Sequence, residues 1–171
     1  SMKVLAVIDM RNDFISGALG TAEAAAIVPK VADKLARHRA SGGRVVFTRD
    51  THSAAYLNTQ EGANLPVVHC VKGTDGWQIC AALEVDDAPV VDKPTFGSLE
   101  LAEVISAMDD VTAVELVGLC TDICVISNAM ILKARLPEIP ISVDAACCAG
   151  VTPESHENAL QAMRLCQVAV V

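Results

Sequence analysis

Short apolar runs alternate with amphipathic stretches along the whole chain. Continuous apolar runs of this length are typical of strands that are buried on both faces. The predicted strands are KVLAVID (3–9), RVVFT (44–48), APVVD (88–92), VTAVELVG (111–118), IPISVD (139–144) and QVAVV (167–171). The pattern predicts an α/β fold, with residues 1–171 forming a single three-layer Rossmann-like domain. Its six-stranded parallel sheet would be flanked by helices.

Apolar residues recur at helical spacing in two of the stretches between the predicted strands. They are Leu101, Val104, Ile105 and Met108 in one stretch, and Ile27, Val31 and Leu35 in the other. Ser98 and Thr152 precede predicted helices, and Pro153 follows Thr152 directly. Ser and Thr cap helix N-termini, and Pro is favoured in the first helical position. Ser98 and Thr152 are therefore the predicted N-caps.

Composition and charge narrow the range of partners. The chain is 52% hydrophobic but only 3% aromatic, and 21 acidic residues outweigh 13 basic ones to give a net charge of −8. This charge argues against nucleic acid or an anionic membrane as a partner. No apolar run is long enough to span a bilayer, and SMKVLAVID begins a strand pattern without a signal peptide. The odd number of cysteines, seven, fits a reducing compartment, so we predict a cytoplasmic protein.

Residues 49–87 interrupt the rhythm of strands and helices. The segment has weak periodicity and is rich in polar, Gly and His positions. A connection of this length in a compact domain is usually functional. In open α/β sheets, ligands bind beyond the carboxyl ends of the strands, so the first residues after each strand are the candidates for chemistry.

Four chemically capable side chains lie at or after the ends of the first four predicted strands. They are Asp9, Asp50, Lys93 and Cys124. Taken singly, each fits a structural role: aspartates cap turns, lysines are solvated, and cysteines fill apolar cores. Taken together, an acid, a lysine and a cysteine at one edge of a sheet could perform nucleophilic catalysis.

Cys124 is predicted in the first turn of a helix, with Thr121 or Asp122 as the cap. The free N–H groups and the dipole of a helix N-terminus favour a thiolate over a thiol. The neighbouring Cys120 leaves a second hypothesis open, in which the two cysteines form a thiol-redox pair.

Three segments, DMRNDF (9–14), DKPTFGS (92–98) and GLCTDICV (118–125), resemble the motifs of the isochorismatase-like cysteine hydrolases and occur in the same order. The resemblance implies a triad of Asp9, Lys93 and Cys124, in which Asp9 takes the thiol proton, Lys93 holds the pair, and Cys124 attacks an amide-type carbonyl. It also implies that backbone amides of Cys120 and Cys124 form the oxyanion hole, and that the Leu119–Cys120 peptide is cis.

The long segment contains a candidate metal site formed by Asp50, His52, Glu61 and His69. Two imidazoles and two carboxylates can surround Zn²⁺, Mn²⁺ or Fe²⁺, although four polar residues in a loop are usually only solvated. Asp-x-His after strand two and LPVVHCVKGT (65–74) resemble the nicotinamidase branch of the family, with Glu61 as the candidate acidic ligand. The resemblance implies a bound divalent metal, most readily Zn²⁺. Tryptophans found beside these ligands in that branch are missing here, which leaves Phe14 and Phe96 as candidate walls of the substrate pocket.

The expected function is that of a metal-binding cysteine amidohydrolase that cleaves a small, nicotinamide-like amide to a carboxylate and ammonia. The alternatives within the family are a hydrolase acting on a carbamoyl or ureido compound, or on isochorismate. The alternatives of other classes are the thiol-redox module and a non-catalytic binding domain. Members of the family often form dimers or larger assemblies, so a homo-oligomer is expected.

Overall fold

A computed structural model of the chain describes residues 2–171. Its core is a parallel sheet of six strands in the order β3-β2-β1-β4-β5-β6. The strands are β1 (Met2–Ile8), β2 (Arg44–Asp50), β3 (Val90–Lys93), β4 (Val111–Leu119), β5 (Ile141–Ala149) and β6 (Ala169–Val170). The order reverses between β1 and β4, so the crevice expected of a doubly wound sheet lies beyond the carboxyl ends of these two strands.

Helices cover both faces of the sheet. They are α1 (Asn12–Ile15), α2 (Ala22–Ala40), α3 (Gln60–Asn64), α4 (Leu99–Ser106), α5 (Ile126–Arg135) and α6 (Pro153–Leu165). Alternate residues of β1 enter different cores: Val4, Ala6 and Ile8 pack with α4, α5 and α6. Leu5 and Val7 pack with α2. This alternation follows from the period of two in a strand and produces the three layers.

The predicted fold class is confirmed. All six predicted strands are present, although β5 continues to Ala149, well beyond the predicted end at residue 144. Its pairing with β4 shifts register between Leu116 and Gly118, which carries the strand past an irregularity that the apolar pattern does not reveal. The caps predicted at Ser98 and Thr152 are also confirmed, since their hydroxyls accept hydrogen bonds from the first turns of α4 and α6.

Gly118 permits the close approach of β4 to β1 at the carboxyl end of the sheet. Its φ is +122°, and a Cβ at this position would collide with the carbonyl oxygen of Ile8. Only glycine combines this backbone conformation with this contact. The turn that carries Cys124 follows directly.

No helix in residues 2–171 combines the length and the apolar character that crossing a membrane requires.

Candidate active site

Asp9, Lys93 and Cys124 meet at the carboxyl end of the sheet. The ammonium Nζ of Lys93 lies 2.6 Å from Oδ2 of Asp9. The same Nζ lies 3.4 Å from Sγ of Cys124. Asp9 and Lys93 are completely buried, and Cys124 is only 4% exposed. The structure therefore brings the three residues of the expected triad into contact in a site from which water is largely excluded.

The carboxylate of Asp9 is held by β2. Asp9 has a positive φ of 49° directly after β1. Its Oδ1 accepts a hydrogen bond of 2.7 Å from the hydroxyl of Thr48. Oδ1 is thus occupied, while Oδ2 faces Lys93. The sequence does not predict this role for Thr48, whose only signal is a polar hydroxyl inside the apolar run of β2.

Lys93 ends β3 and is fixed from a second side. Its Nζ donates a hydrogen bond of 2.9 Å to the carbonyl oxygen of Thr95. Burial works against the charged ammonium, but Asp9, then Cys124 and Asp50, outweigh it and raise the pKa of Lys93 above its ordinary value. Lys93 is therefore a permanent cation at neutral pH and cannot act as a base there.

The turn that carries Cys124 differs from the expectation in its capping. Residues Thr121–Val125 form a π-helical turn that lacks a side-chain cap, so the prediction that Thr121 or Asp122 caps a helix is wrong. Both side chains are used elsewhere, because the Thr121 hydroxyl bonds to Nδ1 of His156 at 2.7 Å. The Asp122 carboxylate accepts from the N–H of Val151. The turn is therefore anchored to the connection between β5 and α6.

The peptide before this turn is cis at Leu119–Cys120, as expected. At the other end of the turn, the amide Nδ2 of Asn128 donates 2.8 Å to the carbonyl oxygen of Cys124. The Asn128 side-chain oxygen accepts from the N–H of Ser98 at 2.9 Å. The buried Asn128 thus ties the Cys124 turn to the segment that follows Lys93.

The thiol of Cys124 does not have the lowered pKa expected of a helix start. Burial, followed by the negative charge of Asp9, raises the pKa of Cys124 well above its ordinary value, and Lys93 only partly opposes them. The desolvation of a thiolate at this depth exceeds what one short turn can offset. Burial and nearby acids also raise the pKa of Cys120 to about 12. Both groups are thiols at rest, so Cys124 needs a base within reach.

Asp50, His52, Glu61 and His69 form a second group of polar side chains beside this triad. One potential ligand atom from each lies within 4.8 Å of the others. Nε2 of His52 lies 3.0 Å from Oδ2 of Asp50 and 3.3 Å from Oε2 of Glu61. The structure therefore assembles all four predicted ligands, which come from the end of β2 and from the long connection.

This group fits a divalent metal ion. Nδ1 of His69 lies 2.6 Å from the carbonyl oxygen of Val67. Because a carbonyl only accepts, Nδ1 carries the proton and Nε2 is free to bind a metal. Oδ1 of Asp50 and both carboxylate oxygens of Glu61 are buried without a hydrogen-bond partner. Buried oxygens without donors are suited to a cation.

Hydrogen bonds to the histidines keep Asp50 ionised. Burial acts to raise the pKa of the Asp50 carboxyl, but the hydrogen bond with His52, the neighbouring His69 and the charge of Lys93 outweigh burial and leave this pKa far below its ordinary value. Nζ of Lys93 lies 3.5 Å from Oδ1 of Asp50. Asp50 therefore joins the triad to the metal-ligand group.

Arg11 holds the long connection in place, a role that the sequence did not reveal. The guanidinium is completely buried. Its Nε donates 2.6 Å to the carbonyl oxygen of Trp77, and Nη1 donates to the carbonyl oxygen of Asp50. Arg11 thus links the backbone of one candidate ligand to the far end of the loop. The motif DMRNDF contains this residue, but neither charge nor spacing predicts that it is buried.

Asp13 holds the part of the long connection that carries His69. Its Oδ2 accepts a hydrogen bond of 2.8 Å from the backbone N–H of Cys70, the residue after His69. A Cβ on Gly76 would collide with this carboxylate, so the loop closes around Asp13. The first motif therefore contributes positioning residues as well as Asp9.

A cavity of about 200 Å³ opens between the two groups of polar side chains. Cys124 lines one side of it, and Asp50, Glu61 and His69 line another. Both predicted wall residues, Phe14 and Phe96, are in the lining, together with aliphatic side chains that include Leu65 and Val151. Phe14 is buried against His69, with ring centroids 5.7 Å apart, whereas Phe96 is 40% exposed. The cavity therefore has room for the carbonyl group of a substrate beside Cys124, among largely apolar walls.

The chain matches known proteins over nearly its whole length. A family model described as an isochorismatase domain matches residues 3–171. A curated nicotinamidase of Saccharomyces cerevisiae is 31% identical over 105 residues, which cover 46% of this chain and 48% of that protein. The match therefore spans about half the length of this curated relative.

Solved structures agree over the full chain. A pyrazinamidase of Pyrococcus horikoshii, solved in complex with zinc, is 27% identical with a TM-score of 0.87, covering 100% of this chain and 99% of that one. A nicotinamidase/pyrazinamidase of Bacillus subtilis is 25% identical with a TM-score of 0.88 and covers 100% of both chains.

Proposed function

Since the chain belongs to the isochorismatase family, we propose that it is a cysteine-dependent amidohydrolase that converts a small, nicotinamide-like amide to a carboxylate and ammonia. The observation that carries the proposal is the contact between Asp9, Lys93 and Cys124 beside a cavity. A buried acid, a fixed cation and a thiol at the entrance to a ligand cavity are the parts that acyl transfer through a thioester requires.

In the first half of the reaction, Asp9 takes the proton of the Cys124 thiol as sulfur attacks the amide carbonyl. The raised pKa of this thiol makes a base necessary, and Asp9 is the carboxylate whose charge and hydrogen bond act on the thiol. Backbone N–H groups of Cys120 and Cys124 stabilise the oxyanion that forms. Asp9 then gives the proton to the amide nitrogen, the C–N bond breaks, ammonia leaves, and an acyl thioester remains on Cys124.

In the second half, water attacks the thioester and loses a proton to Asp9. The C–S bond breaks, the carboxylic acid departs, and the Cys124 sulfur recovers its proton from Asp9. Lys93 transfers no proton, because the carboxylates of Asp9 and Asp50 hold it in its charged form. It stabilises the Asp9 carboxylate and the developing charge on sulfur throughout the cycle.

Asp50, His52, Glu61 and His69 would hold a divalent ion, with Zn²⁺ as the first choice and Mn²⁺ or Fe²⁺ as alternatives. When bound, the ion supplies Lewis-acid charge at the cavity wall, where a heteroatom of the substrate or a water molecule can bind. The zinc complex of the pyrazinamidase relative supports this choice.

The lining of the cavity favours a neutral amide over the anionic alternatives. Its carboxylates, Asp50 and Glu61, face the cavity, and no lysine or arginine lines it. Apart from the ion that the four ligands would hold, the lining offers the carboxylate of a carbamoyl amino acid or of isochorismate no cationic partner, which is unfavourable. The nicotinamidase and pyrazinamidase relatives favour an uncharged carboxamide in the same way.

The test is ammonia release from nicotinamide, benzamide and an N-carbamoyl amino acid, together with pyruvate release from isochorismate, whose vinyl ether contains no nitrogen. We expect ammonia from the neutral amides and its loss in Cys124→Ala. Cys120→Ser is the matched control, since a backbone N–H survives this substitution, and we expect it to keep most of the activity. Hydrolysis that persists in Cys124→Ala would overturn the mechanism. A Cys120–Cys124 disulfide that forms and reverses with thiol reagents, without hydrolysis, would favour the redox alternative.

A further inference from the structure

A surface groove continues the catalytic cavity between α3 and the turn after β3. We call it the side groove; it has a volume of about 360 Å³ and is lined by Gln60, Glu61, Asn64, Leu65, Thr95 and Phe96. Glu61, Leu65 and Phe96 also line the catalytic cavity, so the two spaces meet at these side chains. A molecule bound near Cys124 can therefore extend into the side groove.

The volumes favour a ligand that fills both spaces. The catalytic cavity alone measures about 200 Å³, below the range of about 300–1,000 Å³ that is typical of pockets for larger ligands. Together with the side groove it reaches that range.

The junction presents two apolar side chains beside the Glu61 carboxylate, and the far end of the groove is neutral and polar. Leu65 is 37% exposed and Phe96 is 40% exposed. Exposed side chains of this size at the mouth of a cavity gain free energy when a ligand covers them. Beyond them, Gln60, Asn64 and Thr95 offer amide and hydroxyl groups, and no lysine or arginine lines the groove.

We infer that the substrate is an uncharged primary amide with an acyl group longer than the catalytic cavity. Its apolar part packs against Leu65 and Phe96, and its far end lies near Gln60 and Asn64. This inference rests on the proposed function and identifies the substrate class for the same site. A substrate tail is the favoured occupant because the groove adjoins the cavity that Cys124 lines and shares Glu61, Leu65 and Phe96 with it.

The first experiment measures kcat/KM for a series of linear primary amides, from butanamide to decanamide, by ammonia release. We expect kcat/KM to rise by about threefold for each added methylene until the groove is filled, since each methylene leaves water. The matching series with a terminal carboxylate should be about tenfold poorer at equal length, because that charge has no partner. A flat dependence on length, or equal rates for the charged series, would overturn the inference.

The second experiment narrows the groove with Asn64→Trp and uses Arg164→Trp, near the C-terminal end of α6 and the opposite edge of the sheet, as the control. We expect the ratio of kcat/KM for decanamide to that for butanamide to fall about tenfold in Asn64→Trp and to stay unchanged in Arg164→Trp. An unchanged ratio in Asn64→Trp, with a change in molar mass by light scattering, would assign the groove to contact between copies of the chain and overturn the inference.

The two proposals fail in different ways. Ammonia release that depends on Cys124 but not on acyl length would leave the proposed function standing and remove the extended substrate. No ammonia from any amide in either panel would remove both.

Discussion

Two clusters in this molecule contain the same three residue types, and only one of them has the surroundings of an active site. The rim cluster consists of Asp9, Lys93 and Cys124 at the carboxyl end of the sheet. The face cluster consists of Lys34 on α2 with Asp144 and Cys147 on β5. In the face cluster, Nζ of Lys34 lies 2.9 Å from Oδ2 of Asp144.

Burial separates the two clusters. The side chains of Lys93 and Asp9 are completely inaccessible to solvent. Those of Lys34 and Asp144 are each 18% exposed. Lys34 also pairs with Glu115, whose other oxygen lies 2.9 Å from Nζ of Lys3. The charges of the face cluster are thus shared among several partners and reach water, so their pairing contributes mainly to stability.

The thiols are not distinguished by their acidity. Burial, followed by the charge of Asp144, raises the pKa of Cys147 to about 11. The pKa of Cys124 is also raised. Of these two cysteines, Cys124 lines the catalytic cavity and Cys147 does not. A lysine, an acid and a cysteine in contact are therefore not sufficient; the thiol must also face a space that a carbonyl group can enter.

The largest expected difference concerns the acids. Asp9→Asn removes the group that accepts the Cys124 proton, and a positioned base contributes about 10²- to 10⁴-fold to such a rate. We expect kcat for the best amide to fall by about 10³-fold. Asp144→Asn should leave kcat within about twofold. Steady-state ammonia release measures both, and equal losses in the two variants would mean that the clusters are not functionally distinct.

The lysines should differ in stability. Lys93→Met leaves Asp9 buried without its cation, and breaking a buried pair in this way costs about 3–5 kcal/mol. Lys34→Met breaks a partly exposed pair with Asp144 and a pair with the buried Glu115, which keeps Lys3, so a smaller loss of about 1–3 kcal/mol is expected. Urea unfolding at neutral pH measures both free energies. The comparison would fail if Lys34→Met were the more destabilised variant.

Metal binding should act on the rim and not on the face. Asp50 connects Lys93 to the metal-ligand group. An ion that binds only the folded protein stabilises it by about 2.7 kcal/mol at a concentration of 100 times its Kd. We expect Zn²⁺ to raise Tm in the wild type and in Asp144→Asn, and to have no such effect in His69→Ala. A chelator should reverse the shift. An undiminished shift in His69→Ala would place the ion elsewhere.

The sequence predicted the main parts of the rim because they follow strand ends and lie in motifs that resemble a known family. It did not predict Thr48, Arg11 or Asp13 as positioning residues, because their roles depend on contacts between segments far apart in the chain. It also overstated the effect of the turn on the Cys124 thiol, because burial depends on how the whole carboxyl edge packs. The sequence does not predict the face cluster for the same reason, because Lys34 and Asp144 meet only when α2 packs on β5.

The smallest expected effect is the response of the face cluster to acid. Burial acts to raise the pKa of the Asp144 carboxyl, but a hydrogen bond with Lys34 and the charge of Lys34 outweigh it and hold this pKa below its ordinary value of 3.8. A carboxyl whose pKa is lowered by folding stabilises the protein above its ordinary pKa and loses that contribution as the pH falls through the folded value.

Asp144→Asn removes this dependence on acid. At neutral pH the wild type should be more stable than Asp144→Asn by up to about 1 kcal/mol, the range of partly exposed ion pairs. The gap should close as the pH falls below the ordinary value of 3.8, because the wild-type carboxyl then becomes neutral as well. Urea midpoints measured at neutral pH and in acid provide the test. A gap that persists in acid would mean that Asp144 stabilises through packing, and the face cluster would then differ from the rim in more than its burial.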